Sequence, residues 1–196
     1  MTTKPELILD IAGVLATNLS PKFWLELSSE SATPYDKLVK FKKNIREELW
    51  TGKITEREFW TRLCEQFPSI ELEYAKLILF SNIKPLPAFE EVPIWSQYAN
   101  IHLLSNHRIE WIEPILSPIL IYLKSMTVSS EVGCCKPQSD IYSKVALFLN
   151  SRANILFVDD QEKNFKEANI LGWDTLLADE EGDWINKVLP LIKKVV

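Results

Sequence analysis

Short apolar runs that each close on a polar residue punctuate this chain. Residues 7–9 (Leu-Ile-Leu) run into Asp10, residues 101–104 (Ile-His-Leu-Leu) into Ser105, and residues 155–158 (Ile-Leu-Phe-Val) into Asp159. Continuous runs of this length predict strands buried on both faces of a parallel sheet. A further strand is predicted at 175–177. Residues 119–128 read as a short helix leading into a strand around 126–128. Between the runs the apolar period changes to that of a helix. Helices are predicted over 89–95, 108–116 (limited by Pro118), 138–149, 161–171 (stopped by Gly172) and 183–195, with Pro190 kinking or dividing the last.

The stretch from 20 to 82 has a different character, with helical periodicity throughout. Pro21 suits a first helical turn, with Phe23, Trp24 and Leu27 on one face. Thr33-Pro34 reads as a cap followed by proline at the first helical position. Leu38, Phe41, Ile45 and Leu49 then recur at helical spacing, and Gly52 ends that helix. Thr55 and Glu58 form a capping box opening the next helix, and residues 71–80 form another. Such a block is too short to be a large independent domain and reads better as an insertion lying over a site. The expected organisation is therefore an α/β core of residues 1–16 and 85–196, a Rossmann-like parallel sheet with helices on both faces. An α-helical cap over residues 17–84 interrupts it.

The totals fit one such core. The chain has 196 residues, 46% hydrophobic and 25% charged, and a net charge of −5 that recommends neither nucleic acid nor an anionic membrane as partner. Lys40, Lys42, Lys43 and Arg46 form a local basic cluster. It reads first as a solvated helix face and second as one that steers a phosphate. Three cysteines (Cys64, Cys134, Cys135) without framework spacing, no signal-peptide pattern and no bilayer-length apolar run predict a cytosolic protein. The seven tryptophans read as core.

Chemistry concentrates at the strand ends. Asp10, Ser105-Asn106, Lys136 and Asp159-Asp160 would meet at one sheet edge, where open α/β sheets place their ligands. Carboxylates gathered there repel unless a hard cation lies between them, and Mg²⁺ suits oxygen ligands. A lysine and a hydroxyl beside them could hold a phosphoryl group, and Asp10 could act as a nucleophile. Ser105 alone could simply cap the helix after it, and Lys136 alone could be a surface lysine. His102 reads as a satisfied core residue, and His107 as a solvated loop histidine with a lesser prospect as proton donor. Asn164 would order the loop after Asp160.

These residues resemble the four motifs of the haloacid dehalogenase-like (HAD) superfamily. Asp10-Ile11-Ala12-Gly13-Val14-Leu15 is similar to the first, Leu103-Leu104-Ser105-Asn106 to the second, Lys136-Pro137 with Ile141-Tyr142 to the third, and Phe157-Val158-Asp159-Asp160 with Asn164 to the fourth. The stretch Thr51-Gly52-Lys53-Ile54-Thr55 with Phe59-Trp60 resembles a cap sequence of bacterial sugar-phosphate phosphatases. The resemblance implies that Asp10 attacks phosphorus and binds Mg²⁺ with the backbone carbonyl of Ala12, Asp159 and Asp160. It implies that Ser105 and the Asn106 backbone N–H hold phosphoryl oxygens, and that Lys136 neutralises Asp10 and the phosphoryl group.

Ala12 departs from that pattern. The resemblance implies an aspartate there, protonating the leaving group and then activating water. Alanine removes a contribution typically worth about 10²–10⁴-fold in rate. The expectation is a Mg²⁺-dependent hydrolase of a small phosphorylated metabolite, with weak or atypical phosphatase activity. The alternatives are an impaired relative that binds a phosphorylated ligand or a protein partner, and a phosphonatase- or dehalogenase-like hydrolase. The phosphonatase chemistry would need a cap lysine such as Lys53. Dehalogenases use no Mg²⁺, which the Asp159-Asp160 pair argues against.

Overall fold

A computed structural model describes residues 4–193. The apolar runs form five parallel strands: β1 (Glu6–Leu9), β2 (Asn100–Ser105), β3 (Leu123–Val128), β4 (Ile155–Asp159) and β5 (Asp174–Leu177). They lie in the order β3-β2-β1-β4-β5, with β1 at the centre. Leu7 pairs with Ile101 on one side and Leu156 on the other, and Leu9 with Leu103 and Val158. All carboxyl ends therefore fall on one edge. Alternation along the strands feeds two cores. Leu7, Leu9, Leu103 and Val158 pack into one, and Ile8, Leu104 and Phe157 into the other. Around the sheet run α5 (Ala88–Tyr98), α6 (Ile109–Leu116), α7 (Ser129–Val132), α8 (Ser139–Ala146), α9 (Phe165–Ile170) and α10 (Trp184–Lys193).

The insertion between β1 and β2 is entirely helical: α1 (Lys22–Ser31), α2 (Tyr35–Trp50), α3 (Glu56–Gln66) and α4 (Leu72–Asn82). The capping box of α3 forms as its sequence requires: the Glu58 amide donates to Thr55 Oγ1 at 3.1 Å, and the Thr55 amide to Glu58 Oε2 at 2.7 Å. Gly52 follows the end of α2 at φ +69°. Its missing side chain has a second use, because a Cβ there would lie 2.0 Å from the carbonyl oxygen of Ser130 in α7. The insertion thus meets the core backbone to backbone at this point. Arg108, buried after β2, ties the same junction. Its Nη1 donates to the Ile54 carbonyl at 2.6 Å, while Nε and Nη2 grip Glu110. Aromatic rings continue the contact: Trp111 of the core packs edge-on against Trp50 and Phe59 of the insertion, at centroid separations of 5.7 and 5.4 Å. Such pairs contribute roughly 0.5–1.5 kcal/mol each beyond the area they bury.

Several boundaries differ from the sequence expectations. Thr33 does not cap α2. Pro34 occupies the cap position without a side-chain hydrogen bond, and the Thr33 hydroxyl instead pairs with Ser31 and Ser69. Pro21 likewise stands at the cap of α1, one residue before its first turn. The helix expected over 138–149 stops at Ala146. The one over 161–171 divides into a 3-10 turn (Glu162–Asn164) and α9. Residues 119–128 resolve into a 3-10 helix (Ser117–Tyr122) and β3. Pro190 lies inside α10, which runs through it undivided. The last two residues of that expected helix, 194 and 195, lie outside the described residues. No helix among the described residues is long and apolar enough to cross a membrane. Six of the seven tryptophans are buried, and Trp50 is half-buried.

At the amino-terminal edge of the sheet His102 is a satisfied core residue. Its ring nitrogens pair with Glu6 Oε2 at 2.8 Å and Ser125 Oγ at 2.7 Å, and the other Glu6 oxygen accepts from Asn100 and the Asn150 amide. The buried carboxylate and imidazole therefore each have hydrogen-bonding partners, as burial demands.

Candidate active site

Three carboxylates converge at the carboxyl edge. Asp10, Asp159 and Asp160 each present an oxygen within 4.8 Å of the others. β1 and β4 are neighbours, and the Asp10 amide donates to the Val158 carbonyl at 2.9 Å, so the sheet register itself sets this meeting. The turn after β1 makes room for it. Gly13 sits at φ +81°, and a Cβ there would lie 2.3 Å from Asp160 Oδ2. Glycine therefore serves both the turn and the third carboxylate.

Lys136 lies between the two buried acids. Its Nζ is 2.9 Å from Asp10 Oδ2 and 2.6 Å from Asp159 Oδ2, with all three side chains almost wholly out of solvent. Asn106 places it: the Lys136 amide donates to Asn106 Oδ1 at 2.7 Å, and Asn106 Nδ2 donates to the Lys136 carbonyl at 2.8 Å. The side chain of Asn106 is thus committed to the lysine loop, a positioning role that the sequence did not disclose. Asn164 holds Asp159 from the other side through Nδ2 at 2.8 Å, as expected of a residue ordering this loop. Tyr142 in turn donates to the Asn164 carbonyl at 2.6 Å.

Burial dominates the electrostatics. It pushes the Asp10 carboxyl up to about 7; Lys136 pulls it down and Asp159 pushes it further up. For Lys136 burial disfavours the ammonium, but the attraction of Asp10 and Asp159 outweighs it and holds the pKa above the ordinary value. The Ser105 hydroxyl lies near enough to Asp10 to favour its charged form. It is buried without a well-formed hydrogen bond, so it has donor and acceptor capacity to spare. It does not cap α6, whose cap position is Arg108.

The acidic set fits a divalent cation. A carboxylate offers about four lone-pair sites. Asp10 accepts from the Ile11 amide and Lys136, Asp159 from Lys136, Gln161 and Asn164, and Asp160 from Asn18 and Gln161. Each therefore retains acceptor capacity, and hard oxygen donors of this kind suit Mg²⁺.

A cavity of about 670 Å³ opens above these groups, between the sheet edge and the helical insertion. Asp10, Ala12, Asn106 and Lys136 line its floor, and α2 supplies much of its other wall. The side chain of Ala12 offers no titratable group there. His107 also lines the cavity, but it is buried against Trp50 and Trp111 rather than solvated. Burial lowers its pKa to about 4, and its Nδ1 accepts from the Arg108 amide at 3.0 Å. The ring is therefore neutral near pH 7, which leaves it a hydrogen-bonding group and not a general acid. Lys53 reaches the cavity bound to Glu47 at 2.8 Å, and that contact raises its pKa. A cation held in this way is unsuited to forming a Schiff base, which needs the free amine. Burial raises the thiols of Cys134 and Cys135, so neither is an activated nucleophile.

No protein-family model and no curated protein matches the chain. Solved structures do. A HAD family enzyme from Bacteroides thetaiotaomicron superposes with a TM-score of 0.81 at 20% identity, over 95% of this chain and 99% of that one. A predicted HAD-like family hydrolase from Porphyromonas gingivalis gives 0.80 at 18% identity, over 97% and 98%. An aspartate-to-alanine variant of the Bacteroides enzyme, in complex with magnesium and inorganic phosphate, gives 0.75 at 20% identity, over 89% and 93%. The architecture described above is therefore the HAD-like α/β fold, shared over nearly the full length of both chains.

Proposed function

We propose that this chain is a Mg²⁺-dependent HAD-like hydrolase that acts slowly on a small phosphorylated metabolite. Asp10 is its nucleophile, and the helical insertion is its cap. The observation that carries this reading is the buried Asp10–Lys136–Asp159 array, with Asp160 beside it, on the floor of a cavity. Desolvating three charges is expensive and stabilises the fold little, so an array of this kind at a sheet edge points to chemistry. The Bacteroides enzyme of the same fold, crystallised with magnesium and phosphate even as an aspartate-to-alanine variant, supports the assignment of the ligands.

In this reading Asp10, Asp159, Asp160 and the Ala12 carbonyl hold Mg²⁺, which when bound offsets phosphoryl charge. Ser105 and the Asn106 amide orient the phosphoryl oxygens, and Lys136 favours the ionised form of Asp10 beside them. An Asp10 oxygen attacks phosphorus. The bond to the leaving oxygen breaks, and its electron pair stays on that oxygen. Water then cleaves the aspartyl phosphate and releases phosphate. Ala12 supplies no proton to the leaving group, so substrates with good leaving groups, such as acyl phosphates, are favoured. The three free cysteines are in keeping with a reducing, cytosolic setting. The test compares acetyl phosphate with a sugar phosphate, with and without Mg²⁺. The expected result is Mg²⁺-dependent turnover, faster for acetyl phosphate and lost in Asp10→Asn. Turnover that survives Asp10→Asn contradicts the assignment.

A second reading, a relative that binds a phosphorylated ligand without hydrolysing it, is favoured by Ala12 itself. Mg²⁺-dependent phosphate binding with no turnover of either ester would select it. The phosphonatase reading is disfavoured by the Glu47-bound state of Lys53, and the dehalogenase reading by the three-carboxylate cluster.

A further inference from the structure

The wall facing the carboxylates is basic. Lys42, Lys43 and Arg46 of α2 line the cavity, and Lys163 lines it from the turn after Asp160. Lys42 and Arg46 stand one helical turn apart, so they share a face. Burial and then the neighbouring Arg46 guanidinium pull the Lys42 pKa down. Lys42 donates to the Ser20 hydroxyl, a neutral partner. Among the described residues none of these four cations is in a salt bridge, whereas Lys53 beside them is bound to Glu47. In a chain whose net charge is −5, unneutralised cations line one cavity, three of them from α2. Like charges i,i+4 on a helix are mildly destabilising unless something of opposite charge meets them. The rings of Phe23, Trp24 and Trp50 line the same cavity.

From this arrangement we infer that the substrate carries a second anionic group, carboxylate or phosphate, which the Lys42–Arg46 face of α2 binds while the first phosphoryl group sits at Asp10 and Lys136. The inference rests on the proposed phosphoryl site and narrows its substrate class to compounds with anions at both ends. The apolar rings that line the same cavity would cover the carbon skeleton. Guanidinium and ammonium groups make charge-assisted hydrogen bonds to either oxyanion, so carboxylate and phosphate must be told apart by experiment.

The test is calorimetric titration of the full chain in Mg²⁺ at low ionic strength, where screening is least. The probes are inorganic phosphate, alkyl monophosphates of about three to six carbons, the matching α,ω-diol bisphosphates and the matching ω-phosphorylated carboxylates. At least one bis-anion should bind about tenfold more tightly than its monophosphate, the factor that about 1.4 kcal/mol supplies. The bisphosphate and phospho-carboxylate arms identify the second group. In Lys42→Met/Arg46→Ala, and more weakly in Arg46→Ala alone, the advantage should fall below about twofold while inorganic phosphate binds as before. If monophosphates bind but no bis-anion gains, or if the gain survives the double substitution, this inference is overturned and the phosphoryl site stands. If neither inorganic phosphate nor any monophosphate binds, the phosphoryl site itself is refuted, and this inference falls with it.

Discussion

Lys136→Met removes the cation between two buried carboxylates and leaves the rest of the fold untouched. The Lys136 ammonium lies 2.9 Å from one acid and 2.6 Å from the other, with side-chain exposures of 1%, 6% and 0% for Lys136, Asp10 and Asp159. Two unit charges about 4 Å apart interact by about 4 kcal/mol at an effective dielectric constant near 20. Breaking a buried pair by deleting one partner typically costs about 3–5 kcal/mol, because the other charge stays desolvated. Asp159 is stranded, while Asp10, already raised to about 7, can shed its charge by taking up a proton, so the whole of that range applies. At roughly 2–4 °C per kcal/mol for a domain of this size, Tm should fall by about 6–20 °C in EDTA. Mg²⁺ should restore part of the loss by supplying the missing positive charge. Asp10→Asn should behave in the opposite way. Burial is the largest influence on Asp10 and disfavours its charge, so the neutral amide should leave Tm unchanged or raise it in EDTA. Thermal unfolding followed by circular dichroism, in EDTA and in Mg²⁺, reads both variants. A fall of less than about 2 °C for Lys136→Met, or a larger fall for Asp10→Asn than for Lys136→Met, would refute the electrostatic account.

Three further outcomes follow from the geometry. Gly13→Ala forces a Cβ onto Asp160 and strains a positive φ, so Mg²⁺ affinity measured by calorimetry should drop at least tenfold, with about 1–3 kcal/mol lost in stability; unchanged affinity would mean Asp160 is not a ligand. Arg108→Met leaves the Ile54 carbonyl without its partner and should cost about 1–3 kcal/mol in urea unfolding, with faster proteolysis of the insertion. His107 is buried with its pKa lowered from 6.5 to about 4, so the folded state prefers the neutral ring. The stability this gives is present above pH 6.5 and lost as pH falls from there toward 4, up to about 3 kcal/mol in all. His107→Gln should flatten the stability curve over that window, and parallel curves would show that the ring titrates normally.

Where the sequence was legible, a local rule was enough. An apolar run ending in an acid marks a buried parallel strand and its ligand edge, and so Asp10, Ser105 and Asp159 arrive together from segments far apart in the chain. Thr55, Glu58 and Gly52 announce a helix start and stop because their chemistry is confined to a few neighbouring residues. Thr33 misled for the same reason: a cap-forming hydroxyl was available, but Ser31 and Ser69 took it up in the fold. The basic face of α2 illustrates the limit. Its spacing shows in the sequence, yet whether it meets solvent or Asp10 depends on how the insertion docks. Docking is set by contacts across the chain: Arg108 to Ile54, Gly52 to Ser130, Trp111 to Trp50 and Phe59. The Asn106 clamp on Lys136 and the burial of His107 are likewise products of tertiary approach that no local pattern encodes.

Ala12 lines the same cavity as Asp10 and Lys136, so an acid placed at this position joins that lining. Phosphate release from a sugar phosphate by the native chain and by Ala12→Asp, in Mg²⁺, therefore tests the account most directly. It predicts slow, Mg²⁺-dependent release by the native chain and a gain of about a hundredfold to ten-thousandfold on restoring the acid. If Ala12→Asp is no faster, and neither protein binds inorganic phosphate in Mg²⁺, the Asp10–Lys136–Asp159 array is not a phosphoryl-transfer centre.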